Sequence, residues 1–340
     1  MTQAPFAASA PAEADRGEEI LRLQQLSKTF RVGFWAKQVQ AVRDVSAVMY
    51  RGESMGYLGP NGSGKTTSIK CILALIQPSG GKISLFGQAP TSALARARVG
   101  YLPESPYFYD YLTPLEVFEY VGKLFGLDSR TRKARSQELL GLVGLDHAAN
   151  RPLRGFSKGM LQRVGIAQSL IADPDLLIWD EPLSGLDPVG RKEIRELMMD
   201  LRRQGKSLFF SSHVLTDIEA LCDGVCILDR GVAVAQGRLT DLLRQDALES
   251  EALVDLPQSP EDQQKLAAAI GQIQSARVQI LPTSLQIVLP TAEVAVLMRL
   301  LLEHGAPLRE LSARRDSLEE LFLRKAVATS DKAASAGGQP

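Results

Sequence analysis

Residues 59–67 read GPNGSGKTT, a glycine-rich turn that fits G-x-x-x-x-G-K-[ST] through Gly59, Gly64, Lys65 and Thr66. A strand pattern, MGYLG, leads into it, and a helical pattern, TSIKCILALI, leads out. A strand–turn–helix of this kind cradles phosphates. The glycines let the chain turn tightly, so that backbone N–H groups over Asn61, Gly62, Ser63, Gly64 and Thr67 can wrap a β-phosphate at the helix N-terminus. Lys65 is placed to reach the β/γ oxygens, and the Thr66 hydroxyl to bind Mg²⁺. A nucleoside triphosphate is the expected ligand, and the fold around such a loop is α/β.

The whole chain suits this reading. Its 340 residues exceed one average domain and allow two cored ones. Lys plus Arg and Asp plus Glu balance at 39 each, so no global basic field points to nucleic acid. The three cysteines, Cys71, Cys222 and Cys226, form no CxxC pair and no disulfide framework, which suits a reducing compartment. No run approaches the roughly 18 apolar residues of a spanning helix. The opening residues lack the layout of a signal peptide. A soluble chain is therefore expected, with any membrane role supplied by a partner.

Residues 1–19 are expected to be a disordered leader and 328–340 a disordered tail. Over 20–245, strand-like runs alternate with helical patterns: ESMGYLG, KISLFG, RVGYLP, DLLIWD, SLFFSS and GVCILDR. Over 250–327 the rhythm becomes β-α-β-β-α-β with a last helix at SLEELFLRKAV, the order of a small α+β, ferredoxin-like sheet.

Further acids and a histidine fall at strand ends. DLLIWDEP, 175–182, ends in Asp180, suited to the Mg²⁺ shell, and Glu181, suited to polarise an attacking water. SGLDP follows at 184–188, and SSHV, with His213, ends the next strand. His147 and His304 are read as surface residues. GYLPESPYFYDYLTP, from Gly100, places Glu104 just past a strand, followed by Tyr107, Phe108, Tyr109 and Tyr111.

The decisive companion stretch is RGFSKGMLQRVGIAQSLIADPDLLIWDEPLSGLD, 154–187. With it the chain resembles the nucleotide-binding subunit of an ABC transporter. GPNGSGKTT resembles that family's Walker A motif, FSKGMLQR its signature, LLIWDEP its Walker B, SGLD its D-loop and SSH its switch histidine. The resemblance spans about 220 residues in the family's order. It implies a P-loop ATPase domain with a helical subdomain over about 105–160, and ATP held between two nucleotide-binding domains, a homodimer being expected. Ser157 and Gly159 would donate to the opposite γ-phosphate, Asp187 would touch the partner's phosphate loop, and His213 would hold the γ-phosphate and the attacking water. The signature departs from LSGGQ at Phe156, Lys158 and Met160, while Ser157 and Gly159 stay. Adenine would stack on Phe30, with Phe34 and Trp35 as rivals. Glu104 stands where the family usually has the Q-loop glutamine, and is expected to bind Mg²⁺ directly or through water, as a harder, charged ligand.

Of the aromatics after Glu104, most are expected in the core of the helical subdomain, with its helix TPLEVFEYVGKLFGL. The remainder would line a groove for a short cytoplasmic helix of a membrane subunit. The basic run SRTRKAR, 129–135, is read as a solvated helix face. The ending resembles the extension on ATPase subunits of bacterial exporters with a separate permease chain, which implies a dimer-stabilising or regulatory module. The expected function is ATP-driven transport, in the direction of export. It would act on the inner face of the cell membrane, through a multi-span permease and without nucleic acid. The alternative is a soluble ABC ATPase acting on a macromolecular complex.

Overall fold

The computed structural model describes residues 17–33, 37–244, 249–256, 259–271, 273–281, 283–313 and 318. They divide into two compact units, one up to Arg238 and one from Leu239.

The first unit is built on strands β1 (Glu19–Val32), β2 (Lys37–Tyr50), β3 (Ser54–Leu58), β4 (Gly80–Leu85), β5 (Val99–Leu102), β6 (Leu176–Trp179), β7 (Ser207–Ser212), β8 (Gly224–Asp229) and β9 (Val232–Arg238). Among the described residues they form one mixed sheet in the order β4-β1-β2-β9-β8-β3-β7-β6-β5. Strands β8, β3, β7, β6 and β5 run parallel to their neighbours in that stretch. Every residue of β3, β6 and β7 is buried. Such runs suit parallel strands covered on both faces, where no side chain is left for water.

Helices α1 (Lys65–Ile72), α2 (Ala93–Arg96), α6 (Pro188–Arg203) and α7 (Leu215–Leu221) connect these strands. Helix α7 seats directly on β3. A Cβ on Gly56 would lie 2.7 Å from Ile218 Cδ1 and 2.9 Å from Cys222 Sγ, so only glycine leaves room.

Strands β1, β2 and β9 are not among the runs expected from the sequence. β1 and β2 pair antiparallel with four register shifts, and Gln25 and Asp44 carry φ values of 52° and 50°. These irregularities break the alternation that marks a strand in sequence.

Between β5 and β6 lie α3 (Pro114–Leu124), α4 (Ser129–Leu142) and α5 (Lys158–Leu170). Each starts on a capping side chain. Thr113 and Glu116 form a reciprocal capping box on α3, Asp128 caps α4, and Ser157 accepts from Met160 N on α5. Val117, Phe118, Leu139, Leu140 and Leu153 are buried in this helical segment.

The aromatics after Glu104 do not join them. Tyr107 is 90% exposed, Tyr109 and Tyr111 are exposed and stacked on each other at 5.7 Å, and Phe108 is half-buried. The expectation that most would be core is corrected: Phe118 and the leucines of α4 already fill that space, and the tyrosines sit in the irregular stretch before α3. The basic run lies on α4. There Arg132 pairs with Glu119, and Arg135 with Glu138.

The second unit begins with α8 (Leu239–Arg244) and continues as β10 (Glu249–Asp255), α9 (Pro260–Ile270), β11 (Arg277–Ile280), β12 (Ser284–Pro290), α10 (Val294–Glu303) and β13 (Leu308–Ala313). Its sheet is antiparallel, in the order β11-β12-β10-β13, so two split βαβ units interleave. Ala252, Val254, Leu285, Ile287 and Leu289 on the strands meet Leu266, Ile270, Leu297 and Leu301 on α9 and α10. Residues 1–16 of the leader, the tail and the expected last helix, Leu318 apart, lie outside the described residues, while Glu19, expected to end the leader, already begins β1.

Candidate nucleotide site

Parallel register brings distant sequence to one edge of the first unit. Leu58 pairs with Ser212, Trp179 with Phe210, and Leu102 with Trp179, so the chain leaves β3, β5, β6 and β7 side by side. Crevices at the carboxyl ends of parallel strands are where α/β sheets take ligands. Backbone bonds stitch these exits together: Gly59 N donates to Ser212 O at 3.4 Å and Asp180 N to Leu102 O at 2.8 Å.

The loop 59–67 is shaped by close approach. A Cβ on Gly59 would sit 2.4 Å from Leu228 O and 2.5 Å from Ser63 Oγ. Gly64 adopts φ 103°, and a Cβ there would meet Ala41 O at 2.4 Å. Lys65 opens α1 and is buried. Its ammonium donates to Gly59 O at 2.6 Å and Pro60 O at 3.3 Å, and lies 3.5 Å from Glu181 Oε1. A buried cation needs such partners, because unpaired it carries a large desolvation cost.

Asp180 is fully buried at the end of β6. Ser211 Oγ donates to Asp180 Oδ1 at 2.5 Å, while Oδ2 has no hydrogen-bond partner among the described residues. Glu181 is also buried and adopts φ 51°, a left-handed backbone that a non-glycine residue holds only under constraint. The constraint is visible. Its N–H donates to Ser211 Oγ at 2.9 Å, and Gln162 Nε2 donates to Pro182 O at 3.1 Å. The Glu181 carboxylate is thereby aimed at two groups, His213 Nδ1 at 2.9 Å from Oε2 and Lys65 from Oε1. Glu181 Oε1 has no hydrogen-bond partner among the described residues.

A cleft of about 330 Å³ opens over this arrangement, lined by Asn61, Gly62, Gly64, Lys65, Thr66, Thr67, Glu104 and Glu181, with Ala41. The structure thus brings Glu104 to the phosphate loop, although it lies 38 positions beyond Thr66 in sequence. Ser63 is buried beneath, its carbonyl accepting from Gly231 N at 3.0 Å. The oxygens present suit a hard divalent cation: a buried carboxylate oxygen of Asp180 without a hydrogen-bond partner among the described residues, and the Thr66 hydroxyl and Glu104 carboxylate at the cleft.

Other expected residues stand apart from the cleft. Phe30 is half-buried on β1, with Lys28 Nζ 5.0 Å from its ring centroid, and is not among the lining residues. Phe34 and Trp35 lie outside the described residues. Ser157 caps α5, and Asp187 Oδ1 accepts from Gly190 N at 3.1 Å to cap α6. Gly159 lies against the SGLD turn, where a Cβ would be 3.4 Å from Gly185 O. The Lys158 side chain crosses that turn too: a Cβ on Gly185 would meet its Cδ and Cε at 2.8 Å.

Sequence reasoning missed Ser211 and Gln162 as supports. Ser211 serves Asp180 and Glu181 together, a role legible only once β6 and β7 are known to be neighbours.

Residues 42–184 match the family model described as ABC transporter. An uncharacterized ABC transporter ATP-binding protein of Synechocystis is 45% identical over 230 residues, which cover 67% of this chain and 65% of that protein. The Nod factor export ATP-binding protein I of Cupriavidus pinatubonensis is 39% identical over 230 residues, covering 66% of this chain and 68% of that protein. A solved structure described as the ATP binding subunit of an ABC transporter superposes with a TM-score of 0.60 at 34% identity, covering 66% of this chain and 92% of that one.

Proposed function

The chain belongs to the ABC transporter family as an ATP-binding protein, and from that premise we propose that it hydrolyses ATP to power a separate membrane permease, in the direction of export. The observation that carries the chemistry is the Glu181–His213 pair, 2.9 Å apart, with Glu181 also lining the cleft that holds Lys65 and Thr66. ATP binds with its phosphates on the loop 59–67. Lys65 would exchange its loop carbonyls for the β/γ oxygens, and Thr66, Asp180 and Glu104 would hold Mg²⁺ directly or through water. When bound, that ion offsets the charge developing on the phosphates. Glu181 takes the proton of the attacking water as general base, and His213 orients that water and the γ-phosphate.

Ser157, Gly159 and Asp187 lie outside the cleft, which supports a second copy of the chain supplying them to the opposite nucleotide. Phe30 is the proposed adenine platform, reached when Lys28 leaves its ring. Export is supported by the likeness to the Nod factor export protein. Among the described residues no helix is long and apolar enough to cross a membrane, which supports a permease on another chain. The exposed Tyr107, Tyr109 and Tyr111 support a docking seam near the cleft, together with an apolar groove of about 530 Å³ that includes Leu75, Tyr101, Leu124 and Phe125. The second unit is proposed to stabilise the dimer or regulate it.

The test is fractionation and affinity purification of the full-length chain from its native cells. A multi-span protein that co-purifies in the membrane fraction, and whose transport fails with Glu181→Gln, is the expected result. A purely cytosolic complex with nucleic acid or ribosomes would overturn the transport reading.

A further inference from the structure

Asp217 is a buried charge that the proposed chemistry does not use. It sits on α7, four residues past His213, and is 1% exposed. Two arginines one helical turn apart on α6 converge on it. Arg191 Nη2 donates to Asp217 Oδ2 at 2.9 Å, and Arg195 Nη2 lies 2.6 Å from Oδ1. The hydrogen bond from Arg191 and the charge of Arg195 hold this carboxylate, and removing it would strand two guanidiniums at a partly buried seam.

The elements joined this way are the ones that carry the two halves of the proposed reaction. Arg191 is in the first turn of α6, and its N–H donates to Asp187 O at 2.9 Å. Asp187 is the residue proposed to meet the partner subunit. At the other end, α7 follows His213, which contacts Glu181, and Ile218 seats α7 on Gly56 of the strand leading into the phosphate loop. A cavity of about 170 Å³ joins these parts: Arg191 and Asp217 line it together with, among others, Glu181, Gly185 and His213.

We propose that Asp217 is a positioning residue: with Arg191 and Arg195 it links α6 to α7, so that docking of a partner subunit on Asp187 and alignment of His213 with Glu181 occur together. This rests on the reading of the chain as a dimerising ATPase. The clamp makes each subunit's histidine sense the interface, which is a coupling between the two nucleotide sites carried by an element that both bias.

Asp217→Asn keeps the size and removes the charge. ATP saturation of hydrolysis by the full-length protein should then show kcat reduced roughly 3- to 30-fold. The Hill coefficient for ATP should fall toward about 1. Binding of a fluorescent ATP analogue to the monomer should stay within about 2-fold of wild type, because no phosphate contact is touched. Asp217→Glu, which restores a carboxylate, should recover part of the cooperativity. Should Asp217→Asn fail to fold, Arg195→Gln, at the more exposed end of the clamp, carries the same prediction at smaller amplitude. A purely structural role would lower kcat only in proportion to the folded fraction and leave the Hill coefficient alone. That result, or a wild-type Hill coefficient of about 1, would overturn the inference. Wild-type protein without ATPase activity would instead refute the proposed function on which it stands.

Discussion

Replacing Glu181 by Gln isolates the chemical step from binding. The substitution is nearly isosteric, and the side chain is buried between His213, 2.9 Å away, and Lys65, 3.5 Å away. An amide can still bond His213 Nδ1 in either tautomer, since it offers both a donor and an acceptor. The strained backbone at φ 51° stays held by Ser211 Oγ, so the loop should keep its shape. What disappears is the base and one negative charge at the cleft. Loss of a positioned general base costs about 10²- to 10⁴-fold in kcat, or about 3–5 kcal/mol of barrier. Removing the negative charge should meanwhile favour the incoming polyphosphate, so ATP affinity should hold or rise. Single-turnover hydrolysis and equilibrium ATP binding, measured on the same protein, separate the two effects. Size-exclusion chromatography with MgATP should show the variant retained as a dimer. Turnover within about 3-fold of wild type would remove Glu181 from the base role, and loss of ATP binding would mean that its main work is structural.

Two other substitutions test neighbouring parts. Gly56→Ala drives a Cβ to 2.7 Å from Ile218 Cδ1, and overpacking of this kind costs roughly 1–3 kcal/mol; the urea midpoint of the first unit should fall, and an unchanged midpoint would contradict the seating of α7 on β3. Glu104→Gln weakens a hard cation ligand, so the Mg²⁺ concentration for half-maximal hydrolysis should rise roughly 10-fold while hydrolysis persists; unchanged Mg²⁺ dependence together with unchanged transport-coupled turnover would remove Glu104 from the site.

The sequence was most legible where function is written into the backbone. The loop 59–67 could be read because its glycines are demanded locally, by a φ of 103° at Gly64 and by the carbonyl of Leu228 against Gly59. The strand end at Asp180 was legible because a short, wholly apolar run, LLIW, precedes it, and His213 because it closes the strand run SLFFSS. Contacts made across the sheet were not. Ser211 reads as an ordinary strand residue until β6 and β7 are paired, and Asp217 as one more surface acid until Arg191 and Arg195 come down upon it. Lys158 stands out in sequence only as a departure from the signature, yet its aliphatic stem lies across Gly185. The tyrosines after Glu104 misled for a related reason: aromatic content suggests a core, but Phe118 and the leucines of α4 had already filled it. Bulges at Gln25 and Asp44 hid β1 and β2.

The most direct measurement is phosphate release from MgATP by the full-length chain across a range of protein concentrations, with Lys65→Ala alongside. Specific activity should climb with concentration as two chains complete each site, and Lys65→Ala should neither bind nor hydrolyse ATP. Activity that ignores protein concentration, or that survives in Lys65→Ala, would contradict an ATPase whose site is built on this loop and closed by a second subunit.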